Sequence, residues 1–530
     1  MGTPGEESDV DKRNSRPGSS EVLGLISSGD YCSAEIVAEY GTIPPAFLPH
    51  GQRRLFEWQV KLLSKWCSKL AITLPASYSI PEADSKWLEV AGVVVVPSDE
   101  SLSLGASISA ALDVLAHNGP MYLLHGDTLF RDLDAFPIDS VAVAPPKGSY
   151  MWGRLEARSA ETDVIAGLFS MASAADFASS LEKGGGDFLS ALVEYRDVAG
   201  IQEVTVDNWL DFGHLQNLYY SRRDAPVHRF FNGLRFEGRT VEKFGTDTLK
   251  IVAEGRWFDA LPPIMRVYTP PFLGLVEDRY FLGYEPNPNL QDLYLFGKFR
   301  SGTWREILGA CFEFLSLCRD FGEETGDPDV LRKLGPQKTR FRLSQWAEQN
   351  DLDTAREWVI NSRSQVSLEE ILDVTDSVIG EAKPTSALMH GDFCFSNIFY
   401  DFRQGQVRVV DPRGGVTLEK PTIMGALEYD LAKLNHSLVA YDQILAGRFS
   451  LLREGEYRVD FRLYPHPGRA ELLSMLRDFQ IEFFGTADAT VSAITIQLFL
   501  SMLPLHSDQP QRQMAFLATA FELFSELVEG

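Results

Sequence analysis

The chain has 530 residues, 45% of them apolar and 23% charged, with 49 Lys and Arg against 74 Asp and Glu for a net charge of −25. At roughly 100–200 residues per domain, that length suits two to four domains. The composition excludes a mainly disordered, collagen-like or coiled-coil protein, and the charge disfavours a broad interface with nucleic acid or anionic membrane.

Residues 1–20 are polar and rich in Gly, Ser and charge; a disordered tail is expected there, and no apolar signal-peptide core occurs in it. Order is expected from EVLGLIS, a short apolar run that reads as a buried strand. LFEWQVKLLSKW then places Leu55, Trp58, Leu62 and Leu63 on one helical stripe. The β-branched run Val90 to Pro97 reads as a strand covered on both faces. Helical SISAALDVLAHN and the strand MYLLHGD complete an alternation that implies βαβ units and a parallel sheet. Ligands of such sheets bind at the carboxyl ends of strands, where His125, Gly126 and Asp127 fall.

A change of character falls at residues 221–229. Beyond it, RFFNGLRFEGRTVEKFG reads as two strands around a turn at Glu237-Gly238, followed by the helix KIVAEGRWFDAL and the strand DRYFLGYEP. From Trp304 onward helical patterns dominate, interrupted once by the hairpin-like block MHGDFCFSNIFYDFRQGQVRVVDPRGG. The late apolar stretch AITIQLFLSMLPL, from Ala493, is shorter than a membrane span and carries Gln497 and Pro504, so no span is expected. Five scattered cysteines without a C-x-x-C pair argue against a disulfide framework or a zinc ribbon, and a reducing, cytoplasmic setting is expected.

Chemistry concentrates in the block from His390. NIFYD and QVRVVD form a hairpin around the polar turn Arg403 to Gln406, which brings Asp392, Asn397 and Asp411 together. Two carboxylates and an amide suit a hard cation that wants oxygen ligands; magnesium takes few of these from protein and fills its shell from phosphate and water. A carboxylate left off the metal can orient or deprotonate an attacking hydroxyl. Read without these partners, H-G-D is an ordinary turn, and the chain holds a second one at His125. Cys394, inside the loop, has no paired His and reads as a packing residue.

H-G-D-x-x-x-x-N followed by a strand and Asp resembles the aminoglycoside phosphotransferase/choline kinase family, of protein-kinase-like fold. The resemblance implies that Asp392 is the catalytic Asp and that Asn397 and Asp411 are magnesium ligands. Downstream EYDLAKLNHSL resembles the family's D-L-A-x-L helix, with Asp430 as a structural Asp buttressing the loop. Upstream, Lys243 in TVEKFG would hold the α- and β-phosphates of ATP and Glu254, eleven residues on, would pair with it. Gly233 and Gly238 are the glycines left to cover phosphate, and backbone groups near Leu282 to Tyr284 would take the adenine edge. The motif after Asp411 reads Pro412-Arg413-Gly414, a departure from D-F-G.

Residues 21–220 resemble the sugar-1-phosphate and phosphocholine nucleotidyltransferases, through VLGLISSGD, IPPAFLPHGQRRLFEWQ, LHGDTLF and DNWLDFGHLQNLYYS in order. In that comparison Asp127 and Asp211 share a metal at the transferred nucleotidyl group. Asp30 and Pro45 stand where the family has cations, each worth roughly 2–4 kcal/mol at a transition state; Arg53 and Arg54 lie near enough in sequence to compensate. A degenerate domain that still binds nucleotide or sugar phosphate, and a purely structural one, both fit.

The resulting expectation is an α/β nucleotidyltransferase-like (Rossmann-like) domain over residues 21–220, then an α+β bilobal protein-kinase-like unit with an N-lobe at 226–288 and a helical C-lobe at 289–530. The implied activity is an ATP- and Mg2+-dependent phosphotransferase acting on a hydroxyl of a small polar molecule, in sugar, polysaccharide or headgroup biosynthesis. The alternatives are a bifunctional kinase/nucleotidyltransferase and a non-catalytic nucleotide-binding scaffold. The net charge is compatible with an acidic pocket for a cationic acceptor and with a solvated surface, of which the second is commoner. The oligomeric state is not legible.

Overall fold

The structure is a computed structural model that describes residues 21–148, 150, 153–154, 163–223, 232–322, 326–418, 421–485 and 489–529. The expected tail at 1–20 and most of the change of character at 221–229 lie outside them. The chain divides into two compact units: Met1–Asp30, Phe56–Ala76 and Ala91–Leu210 form the first, and Tyr31–Leu55, Ser77–Val90 and Asp211–Gly530 the second.

The first unit is built on a seven-stranded sheet in the order Gln202–Thr205, Ser140–Ala144, Val164–Met171, Met121–His125, Leu23–Ser27, Lys69–Pro75, Val93–Ser98. Leu23–Ser27 runs parallel to both neighbours, but Val164–Met171 runs antiparallel to both of its own, so the sheet is mixed rather than parallel throughout. Val93–Ser98 is an edge strand with Val94 and Val95 exposed, which corrects the expectation of a strand covered on both faces. Val90 belongs instead to the end of the helix Glu82–Val90. Helices Leu104–Leu115, Ala174–Lys183 and Phe188–Ala199 bury Ile108, Leu112, Phe177, Leu181 and Leu192 in one core with Leu23, Leu123, Val141 and Phe169. Each starts at an oxygen-bearing cap: Ser103, Ser173 and Asp187 accept from the amides of Ala106, Asp176 and Ser190.

The second unit carries an antiparallel sheet in the order Asn232–Glu237, Thr240–Gly245, Arg279–Gly283, Phe272–Val276. The first two strands form the expected hairpin, closed by Gly238 at φ 58°. Phe272–Val276 is unanticipated, because an irregularity between Phe272 and Gly274 breaks the alternation by which a strand is recognised. Helix Thr248–Ala260, capped by Asp247, buries Trp257 and Phe258, and Phe258 packs on Phe272 and Tyr280.

Beyond Trp304 helices dominate as expected, yet a second four-stranded sheet is set among them, in the order Arg363–Ser367, Glu357–Ile360, Arg458–Leu463, Phe449–Arg453. Its central pair is parallel and joins residues about a hundred positions apart, a pairing no local pattern announces. Trp346, Trp358, Phe499, Phe516 and Phe521 form the core beneath it. Helix Ala489–Met502 runs on through Leu503–His506, an 18-residue stretch that is longer than the apolar run read from the sequence and passes for a membrane span by length and composition alone. Ile494, Ile496, Phe499 and Leu500 are buried inside the fold, and Gln497 donates to Thr375 and Asp376 at 3.0 and 2.6 Å.

The segments 31–55 and 77–90 are fastened within the second unit by charge. Arg54, 2% exposed, places Nε and Nη2 3.1 and 2.9 Å from Oδ2 of Asp84, and its Nη1 donates to the carbonyls of Phe47 and Phe296. Arg448 reaches the other Asp84 oxygen at 3.0 Å. Arg54 is therefore consumed in the interior and is not a substitute phosphate cation.

Candidate active site

The H-G-D loop at His390 is held from below by one buried carboxylate. Asp430, on the helix Leu427–His436, accepts from the His390 amide at Oδ2 and from the Gly391 amide at Oδ1, both at 2.7 Å. Gly391 sits at φ 77°, and a Cβ there would come 2.6 Å from the Arg413 Cβ, so the position demands glycine twice over. The His390 ring lies against Trp257, and burial pushes its pKa down to about 4. The ring is thus neutral: Nε2–H donates to the Val410 carbonyl at 3.0 Å, leaving Nδ1 to accept from the Asp392 amide at 3.3 Å. His125, in the first H-G-D, is also pushed down to about 4 by burial, but packs between Phe169 and Phe188 in the first unit.

From this loop the expected residues converge. Asn397, at the end of a short turn, donates from Nδ2 to Asp392 Oδ2 and to the Asp392 carbonyl, both at 3.0 Å. Its own carbonyl accepts from the Val410 amide at 3.0 Å, which sets Asp411 beside it at the end of the hairpin Ile398–Asp401/Gln406–Val409. Asp411 is a non-glycine residue at φ 58°, a strained conformation of the kind that collects at functional sites. Gly414, at φ 82°, presses on the Ala253 backbone, and so packs the Asp411 loop directly on the helix that carries Glu254.

Lys243 joins the two halves. Its Nζ lies 2.7 Å from Glu254 Oε2 and 2.8 Å from Asp411 Oδ1, and the Tyr280 hydroxyl donates to the same Glu254 oxygen at 2.9 Å. Burial alone would push the Lys243 pKa down; Asp411 and Glu254 outweigh it, and the net direction is up. The ammonium is a fixed positive charge.

These groups border a cavity of about 270 Å³. Lys243, Asn397 and Asp411 line one part of it; Leu234, Phe236, Val241, Leu282 and Phe399 give another part apolar walls. The amides of Gly283 and Tyr284 donate to the carbonyls of Pro271 and Arg239. Of the residues near Leu282 to Tyr284, these two N–H groups are therefore not open to a purine edge. Asp392 and Asp411 are each about one-third open at the side chain. A partly open carboxylate at Asp411 and the Asn397 amide oxygen are a donor set that fits Mg2+ with phosphate and water completing its shell. Among the described residues no cluster of three His, Cys, Asp or Glu side chains occurs that would suggest another type of metal site.

Sequence reasoning missed Lys433. Its Nζ lies 2.8 Å from Asp392 Oδ1, so the two oxygens of Asp392 are held separately, by Lys433 and by Asn397. The signal was present in EYDLAKL, since Lys433 stands one helical turn after Asp430. Cys394 is buried, pushed up to about 12 by burial, and lies 3.3 Å from the Ser396 hydroxyl, as a packing residue would.

The two N-terminal candidates fall in different units. Asp127 sits in the first, in the turn between Met121–His125 and Thr128–Phe130. That turn is latched by the Gln59 amide, which donates to the carbonyls of His125, Gly126 and Thr128 at 2.8–3.1 Å. Asp211, in the second unit and 3% exposed, accepts from Asn217, His214 and the Gly213 amide at 2.7, 2.8 and 2.9 Å, organising the start of the helix Leu215–Arg223.

No family model and no curated protein matches the chain. Among solved structures it is similar to a nucleoside-diphosphate-sugar pyrophosphorylase from Vibrio cholerae RC9, at 13% identity over 38% of this chain and 100% of that one, with a TM-score of 0.31. An inositol-1-phosphate CTP transferase from T. maritima aligns at 12% identity over 39% of this chain and 97% of its own, with a TM-score of 0.31. A choline/ethanolamine kinase family protein from Mesorhizobium loti aligns at 10% identity over 57% and 87%, with a TM-score of 0.35.

Proposed function

We propose that the second unit is a phosphotransferase that moves the γ-phosphoryl group of ATP to a hydroxyl of a small polar molecule. The observation that carries this is the pair of contact sets Asp392–Asn397 and Glu254–Lys243–Asp411, whose members Lys243, Asn397 and Asp411 line one cavity with apolar walls. The acceptor hydroxyl oxygen bonds to the γ-phosphorus while the bond to the β–γ bridging oxygen breaks. ADP leaves with that electron pair, and the hydroxyl proton passes to a carboxylate oxygen of Asp392.

Asp392 acts chiefly by orientation in this reading, because the Lys433 ammonium at Oδ1 and the Asn397 amide at Oδ2 hold both of its oxygens in place. Lys243 meets phosphate oxygens with a charge that Glu254 keeps in position. Asn397 and Asp411 would hold Mg2+, which when bound neutralises charge on the β- and γ-phosphates. The apolar walls at Leu234, Phe236 and Phe399 suit a flat base.

The test is transfer of label from ATP to a panel of sugars, amino alcohols and nucleosides. Asp392→Asn abolishes transfer while the protein remains folded; a wild-type chain that consumes no ATP with any acceptor contradicts the reading.

For the first unit we propose binding of a nucleotide or sugar phosphate without transfer. Gln59 supports the turn of Asp127, but Asp30 stands in place of a cation. Nucleoside-triphosphate-dependent pyrophosphate release that survives Asp392→Asn and vanishes with Asp127→Asn would establish the bifunctional enzyme instead.

A further inference from the structure

We propose that the acceptor carries an anionic group, a phosphate or a carboxylate, seated by Lys338, Arg342, Arg413 and Lys433 beside Asp392. The assignment of this anion to the acceptor rests on the phosphotransferase reading; the anion site itself does not.

Three separate stretches bring these cations together. Lys338 and Arg342 stand at i and i+4 on the helix Pro336–Gln349, and so share a face. Tyr429 and Lys433 share a face of the helix Leu427–His436 in the same way, and Lys338 Nζ donates to the Tyr429 hydroxyl at 3.4 Å. Arg413 follows Asp411, packs its Cβ against Gly391, and donates from Nε to the Gly415 carbonyl at 3.1 Å. Lys433 closes the group on Asp392 at 2.8 Å.

All four side chains are partly withdrawn from water. Among the described residues, Asp392 is the one carboxylate in ion-pair distance of any of them. Partly buried cations lacking anionic partners are costly, and a protein of net charge −25 does not lack carboxylates with which to pair them. The local field reports the same imbalance. Burial pushes the Lys338 ammonium down to about 8, with Tyr429 opposing and Arg413, Lys433 and Arg342 adding to it. Burial would push the Tyr429 phenol up, but Lys338, Lys433 and Arg413 bring it down to about 8.

The cluster is separate from the place assigned to the nucleotide. None of the four cations lines the cavity bordered by Lys243, Asn397 and Asp411. Lys433 is the member that reaches Asp392, which is itself not among the residues lining that cavity.

Two measurements test this. In the first, inorganic phosphate is titrated into the full chain and its effect on acylation of Lys338 by an amine reagent is read by peptide mass. Protection in the wild type, retained in Lys338-containing peptides of a folded Lys433→Arg variant and lost in Arg342→Gln, is expected; no protection at any phosphate concentration overturns the site. In the second, ATP-dependent transfer is compared among glucose 6-phosphate, glycerate, glucose and choline. Lys338→Met is expected to lower kcat/KM for the preferred anionic acceptor about tenfold or more, with the KM for ATP unchanged and Lys338→Arg largely restoring the rate.

The two anionic acceptors distinguish phosphate from carboxylate as the seated group. Preference for choline, or a Lys338→Met effect confined to the KM for ATP, overturns the inference while leaving the phosphotransferase standing. Phosphate protection without transfer to any acceptor supports the anion site and counts against the phosphotransferase.

Discussion

Lys433 Nζ lies 2.8 Å from Oδ1 of Asp392, a contact made across forty-one residues of sequence. The Lys433 ammonium stays charged: burial pushes its pKa down, and Asp392, with lesser help from Tyr429 and Cys394, more than reverses it. Replacing it with Met frees one Asp392 oxygen and removes a positive charge beside the phosphoryl acceptor. We expect kcat to fall about 10²-fold in Lys433→Met, with the KM for ATP nearly unchanged and partial recovery in Lys433→Arg. Steady-state kinetics on both variants check this.

Lys243 and Glu254 are buried against each other, so removing one strands the other. Lys243→Met should lower stability by about 3–5 kcal/mol, while Lys243→Met with Glu254→Gln should cost clearly less. Denaturant unfolding of the two variants measures the difference. The double variant should still fail to bind ATP, because the fixed cation is gone.

Asp430 gives stability and activity opposite pH dependences. Burial pushes its pKa up to about 7, with the His390 and Gly391 amides opposing, against an unfolded value near 3.8. The folded chain therefore takes up a proton between these values where the unfolded chain does not, and the contribution of this group to stability falls as pH rises from about 4 to 7. The loop needs the ionised form, since both oxygens accept an amide. Activity should accordingly rise through an acid limb near pH 7 while thermal stability, relative to Asp430→Asn, declines over the same range. Parallel pH series of kcat/KM and Tm read both.

Asp84 clamps two guanidinium groups, Arg54 and Arg448. In Asp84→Ala both are left buried without their carboxylate, and a loss of about 3–5 kcal/mol is expected in urea unfolding. Asp113→Ala, on an exposed helical surface of the first unit, serves as the control with little change.

How much could be read from the chain depended on how far apart the partners lie. The hairpin after Asn397 was legible because turn residues and a short spacing define it, and the pair Lys243–Glu254 was legible through the family resemblance alone. The helix-borne Asp430 was legible through its motif. The strand Glu357–Ile360 was not, since its partner Arg458–Leu463 is far along the chain and the alternation is too short to stand alone. Nor was the fate of Arg54: a basic residue near a glycine turn suggests phosphate, and only the fold brings Asp84 and Arg448 to it. The strand at Val93 was misjudged because an apolar run is the same whether a strand is central or at an edge, and Val94 and Val95 are left exposed by its edge position.

The most direct measurement of the central claim is the mass of the acceptor after incubation with ATP, Mg2+ and the full chain, for wild type and Asp392→Asn side by side. A gain of one phosphoryl mass on a hydroxyl-bearing metabolite with the wild type, reduced about 10²–10⁴-fold in the variant at equal folded content, is the expected result. Equal phosphorylation by both proteins, or none by the wild type across sugars, sugar phosphates, hydroxy acids, amino alcohols and nucleosides, would contradict it.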